Sequence, residues 1–181
     1  MAASNVVPLQ RDSPKFESIL VPTDGSALSL AAALKAVEFA QRLQARIVAF
    51  SSIPVYQYPV YVGGIPFEYP SEADYETQCR AIAERYLGLV ADAGTKLGVP
   101  VETRIEFNAN TAQAIVEIAQ RERCSMIFMG SHGRGGLSRA FLGSVALKTL
   151  TLAHVPVMVD HPTAEEIAVA EELMRQSAIE P

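Results

Sequence analysis

From Gly130 to Ser144 the chain reads GSHGRGGLSRAFLGS: five glycines, three serines, two arginines, one histidine and not one acidic residue. Glycine lacks Cβ, so its amide can approach an anion closely and its backbone can turn through positive φ. Gly143-Ser144 precedes an apolar helical pattern, and the free N–H groups and dipole of a helix start favour negative charge. The residues alone suit equally a turn-rich surface loop and a phosphate site, in which the Ser144 hydroxyl would be one more donor. A second polar cluster, Thr23-Asp24-Gly25-Ser26, follows an apolar run early in the chain. His132 has no acid or nucleophile at a spacing that suits general-base catalysis, so its expected part is shaping the loop. Arg134 and Arg139 can reach phosphates or point to water, and Asp24 suits both a ligand site and a cap for the helix after it.

Other nucleotide motifs do not fit. No lysine follows the glycines, which excludes a P-loop, and no GxGxxG follows the first apolar run, which counts against a dinucleotide fold.

The elements around these clusters alternate. SILVPT (Ser18 to Thr23) is an apolar, β-rich run stopped by Asp24-Gly25-Ser26, and a helix follows with Leu30, Ala33, Leu34, Val37 and Ala40 on one face. RIVAFSSI (46–53) is a second strand. Pro54 to Pro70 carries four prolines and a Gly-Gly pair, and at 17 residues it exceeds an ordinary connection. It is read equally as a loop folded on the body or as a lid or partner surface. Ser71 and Asp74 resemble a capping box. Tyr75, Cys79, Ile82, Tyr86, Leu89, Ala93 and Leu97 form the expected inner stripe of a long helix ending at Gly98. VETRIEF (101–107) alternates as a half-exposed strand does. A helix starts at Asn110 or Thr111, with Ile115, Ile118 and Ala119 inward. SMIFMG (125–130) is a buried strand, SVALKTLTLAH a short helix, and VPVMVD (155–160) a last strand.

Strands alternating with helices predict an α/β domain with one open parallel sheet and helices on both faces. Ligands of such sheets bind beyond the carboxyl ends of the strands, where the winding direction switches. The strands ending at Thr23 and at Gly130 are therefore expected to be neighbours at that point.

The whole chain of 181 residues fits one domain, with residues 1–15 a leader, 16–160 the body and 161–181 a helical extension. In the extension, Thr163 and Glu166 form a capping box, and Ile167, Ala170, Leu173 and Met174 share a face that packs on the body or on a partner subunit. A net charge of −5 argues against nucleic acid as the partner. No apolar run reaches the roughly 20 residues of a membrane span, and no secretory signal is recognisable. Cys79 and Cys124 are expected to be reduced and mostly buried, and the location cytoplasmic.

The order and spacing of these motifs resemble the universal stress protein family. Gly130, Gly133 and Gly143-Ser144 match the G-x2-G-x9-G-[S/T] signature of its ATP-binding members. ILVPTDGS, FMGSHGRGG and LGSVALKTL…VPVMV match in order, over about residues 16–160. The resemblance implies a Rossmann-like, five-stranded sheet of order 3-2-1-4-5, with ATP (or ADP or AMP) between the first and fourth strands, and Mg²⁺ on the phosphates with Asp24 nearby. Pro22, Thr23 and Asp24 would face the adenosine. Met129, Gly130 and Gly133 would line the ribose and phosphates, and Gly143, Ser144 and Val145 would hold the phosphates. Where the family often has valine against adenine this chain has Ser51-Ser52, so Ser52 is a neighbour of the base. The resemblance further implies a homodimer through Val155 to Asp160; the amphipathic tail helix, which departs from the family domain, is expected to cover that joint. A nucleotide-dependent stress or signalling regulator is the function implied. Slow ATP hydrolysis or phosphotransfer is the alternative, and a nucleotide-free dimeric scaffold the second.

Overall fold

The computed structural model describes residues 16–57, 70–133 and 142–179. Arg134, Gly135, Gly136 and Arg139, with positions 58–69 of the proline-rich segment, lie outside them. Five strands run β1 (Ser18–Pro22), β2 (Arg46–Ile53), β3 (Val101–Phe107), β4 (Met126–Gly130) and β5 (Val157–Asp160). They form one parallel sheet in the order β3-β2-β1-β4-β5. The helices are α1 (Ala27–Leu43), α2 (Glu72–Leu97), α3 (Thr111–Arg121), α4 (Ser144–Leu152) and α5 (Ala164–Ile179).

The two-residue period of the strands sorts their side chains into two cores. Ile19, Val21, Ile47, Ala49, Met126 and Phe128 face one side, where α1, α2 and α5 pack. Leu20, Val48, Phe50, Ile127 and Met129 face the other, against α3 and α4. Central β1 and β4 are buried along their whole length, because helices cover both faces.

Three expectations are corrected. The buried line of α2 is Ala83, Tyr86, Leu87, Val90 and Gly94, while Ile82 is 47% exposed. A Cβ on Gly94 would press into the Val101 side chain, so the line facing β3 is the one that allows close approach. The last strand begins at Val157 rather than Val155, although the Pro156 carbonyl already accepts from Ile127 N at 2.9 Å. The tail helix lies on α1 and α2 through Ile167, Ala170 and Met174, not over β5 as a cover for its edge. Its start has Thr163 N donating to Glu166 Oε2 at 2.7 Å and Glu166 N donating to Thr163 Oγ1 at 3.2 Å.

The described ends of the proline-rich segment are pinned together. Tyr56 Oη donates to the Pro70 carbonyl at 2.8 Å and Tyr75 Oη to the Pro54 carbonyl at 2.9 Å. Cys124 is buried and Cys79 half-buried, both free thiols, and burial pushes the Cys124 thiol up from its ordinary value.

Candidate functional site

β1 ends in a turn that is built before any ligand arrives. Thr23 N donates to the Phe50 carbonyl at 2.8 Å, which extends the β2 pairing by one residue. Its buried hydroxyl meets Ser29 Oγ at 2.8 Å, tying the turn to α1. Asp24 braces the helix rather than capping it: Oδ1 accepts from Ser26 N at 3.0 Å and Ser26 Oγ at 2.7 Å, and Ser26 is the N-cap, accepting from Ser29 N. Gly25 sits at φ +75, with the Tyr86 ring where a Cβ would stand.

β4 is adjacent to β1 in the sheet, so its carboxyl end opens beside this turn. The other Asp24 oxygen lies against Gly133, in the space a side chain there would fill. Gly143 N-caps α4 and donates its N–H to the Ser131 carbonyl at 2.8 Å. A Cβ on Gly143 would come within 3.1 Å of that oxygen and 3.4 Å of His132 Cα, and one on Gly130 within 3.1 Å of Leu28. The glycines are therefore places where two backbones, or a backbone and a carboxylate, meet without room for a side chain.

Ser131 was not singled out by its sequence, although it stands inside the glycine stretch. It is 0% exposed. Its N–H donates to the Asp160 carbonyl at 2.8 Å, and its hydroxyl lies 2.8 Å from His161 Nδ1 and 3.1 Å from His132 Nδ1. Beyond it, Lys35 bridges the Asp160 carboxylate at 3.1 Å and Glu166 of α5 at 2.8 Å. Glu166, and less strongly Asp160, holds the Lys35 ammonium above its ordinary value. Lys35 in turn holds the Glu166 carboxyl below the usual glutamate range.

The structure brings Pro22, Thr23 and Asp24 to the β1 end, Met129, Gly130 and Gly133 to the β4 end, and Gly143, Ser144 and Val145 to the start of α4. Met129 faces the α3/α4 side with Val145 packed on the same cluster. Ser52 stands one residue before the end of β2, one strand away, and its hydroxyl is buried with no hydrogen-bond partner among the described residues. Among the described residues no cluster of three metal-ligating side chains occurs, and no helix is long and apolar enough to cross a membrane.

A doubly wound parallel sheet, with β1 and β4 side by side where the winding direction switches, defines the class: an α/β protein. The model of the universal stress protein family matches residues 15–161, and the chain belongs to that family. It is 33% identical over 147 residues to universal stress protein MJ0531 of Methanocaldococcus jannaschii, covering 80% of this chain and 81% of the relative. The hypothetical protein MJ0577 superposes with a TM-score of 0.65 at 22% identity, over 82% of this chain and 98% of that one. A universal stress protein solved with cAMP gives 0.58 at 21%, covering 81% and 98%. A universal stress protein family member from Arabidopsis thaliana solved with AMP gives 0.56 at 16%, covering 82% and 94%.

Proposed function

We propose that the chain binds an adenine nucleotide, ATP by the spacing of its glycines, at the joint carboxyl ends of β1 and β4, and that occupancy regulates a stress or signalling response. The observation carrying this reading is Gly143. It opens α4 with its amide on the β4 loop and leaves no room for a side chain, which makes a helix N-terminus available to an anion. Neighbours solved with cAMP and AMP support the class of ligand. In this reading Pro22, Thr23 and Asp24 face the adenosine, with the unpartnered Ser52 hydroxyl near the base. Met129, Gly130 and Gly133 line the ribose and phosphates, and Gly143, Ser144 and Val145 hold the phosphates. Asp24 is the residue that would stand beside a Mg²⁺ carried by them.

The test is Gly143→Leu. Its backbone is extended (φ −60), so leucine meets no backbone strain, but a Cβ there comes within 3.1 Å of the Ser131 carbonyl and crowds the β4 loop against the start of α4. Calorimetric titration should show ATP binding abolished, while circular dichroism shows that the variant is still folded. Wild-type affinity in that variant would sink the assignment. Turnover belongs to the same reading: hydrolysis is expected orders of magnitude below the median enzyme rate of roughly 10 per second. A metal-dependent rate near that value, lost in Asp24→Ala or His132→Ala, would make the protein an enzyme. Pairing of β5 with a second copy, giving a homodimer, completes the proposal.

A further inference from the structure

The glycine motif does not account for what holds its own backbone in place. Every polar atom of Ser131 is engaged, and by four different neighbours: N–H to the Asp160 carbonyl, carbonyl to Gly143 N–H, and hydroxyl to the Nδ1 atoms of His161 and His132. The residue is fully buried, so its hydroxyl has no water to turn to and depends on the two rings. One hydroxyl carries one proton, so it donates to one imidazole and accepts from the N–H of the other, and the pair together fixes its rotamer. Through its carbonyl, Ser131 also sets where the first turn of α4 begins.

We infer that His161, the residue just past β5 and outside the glycine signature, is a positioning residue for the phosphate site: it orients the buried Ser131 hydroxyl and so fixes the Gly130–Gly133 turn against the N-terminus of α4. The inference rests on the nucleotide reading of that site. His161 acts through Ser131 and touches no ligand. Its imidazole rather than an apolar residue is needed there because the hydroxyl beneath it would otherwise rely on His132 alone. His132 stands 5.8 Å away, ring centroid to ring centroid, and is itself within the glycine stretch.

The test uses the full chain with ATP in calorimetric titration, alongside thermal melting. His161→Leu removes the Nδ1 contact, and His161→Asn places an amide close to where Nδ1 was. His161→Leu should weaken ATP binding about fivefold, the low end of coupling between sites, because His132 still holds the same hydroxyl. His161→Asn should bind within about twofold of wild type, which a merely structural role for the ring would not produce. Ser131→Ala should weaken binding comparably, and adding His161→Leu to it should cost nothing more, since both act through one contact. Unchanged affinity in His161→Leu, additive losses in the double variant, or an asparagine as poor as leucine would each overturn the inference while the nucleotide site stands. Wild-type chain that binds no adenine nucleotide would overturn the site and the inference together.

Discussion

Gly25 has no side chain because Tyr86 stands where one would be. Its φ of +75 is strained for an L-residue, and a Cβ would overlap the ring. Tyr86 cannot swing aside freely, since its hydroxyl is hydrogen-bonded to buried Ser51. Gly98 has almost the same φ, +70, but open space around it. Gly25→Ala should therefore cost about 2–4 kcal/mol and Gly98→Ala about 1, read from urea midpoints. Equal losses would show that Tyr86 plays no part. Gly88, inside α2 with nothing within 4 Å of its missing Cβ, should gain up to about 1 kcal/mol on change to alanine. The positions of Gly130, Gly133 and Gly143 at a strand end and a helix start were legible in the sequence, because an apolar strand and an apolar helical pattern flank the glycine stretch. The sequence did not reveal Ser131 or His161, for a serine beside a glycine and a histidine near a proline carry no periodicity. Their meeting depends on β4 and β5 lying side by side.

At the scale of elements, α5 is joined to the helices beneath it by an apolar contact, with α1 and α2, and an ionic one, with Lys35 of α1, of unequal weight. Ala170 is fully buried, with Ile167 and Met174 packed beside it. Ala170→Asp would bury an unpaired carboxylate and should undock the helix, seen as loss of hydrogen-exchange protection across α5. Lys35 is a third exposed, so Lys35→Met should lower that protection by less than about 1 kcal/mol. The pH dependence has a definite sign. Glu166 is depressed by Lys35, so its contribution is present above the ordinary glutamate value and is lost as pH falls through the lower folded value. Lys35 is raised, so its contribution is present below the ordinary lysine value and is lost only as pH rises through the higher folded one. Protection of α5, corrected for intrinsic exchange, should be flat through neutrality and fall first in acid. A fall between neutrality and the ordinary glutamate value would contradict the assignment. Elements of this kind were legible where one pattern dominates, as in β2 and β3. Of the expected α2 stripe, Tyr86 is buried and Cys79, Leu89, Ala93 and Leu97 pack against the core, while Ile82 faces out because the buried line passes through Ala83, Leu87, Val90 and Gly94.

For the whole molecule the open question is the free edge of β5, the end of the sheet beyond β4. An uncovered parallel edge offers unpaired N–H and C=O groups to another chain. α5 lies on α1 and α2 and leaves this edge uncovered among the described residues. Apolar side chains gather near the edge instead: Met158 is 39% exposed, and on α4 Leu147 is 57% and Leu150 40% exposed. Two copies related by a two-fold axis would pair β5 antiparallel to β5, an isologous contact that closes at two chains. The register should centre on Val157 to Val159, since the N–H and C=O groups of Val157 and Val159 point out of the sheet while the Pro156 and Asp160 carbonyls are bonded to β4. Light scattering on the intact chain should give a dimer mass. Val157→Pro, which removes an N–H pointing out of the free edge, and Leu147→Glu, which charges the flanking apolar surface, should both shift the equilibrium toward monomer. Because neither residue faces the nucleotide cradle, ATP affinity per chain should be unchanged in both. A monomer at high micromolar concentration, or a dimer indifferent to both substitutions, would place the interface elsewhere.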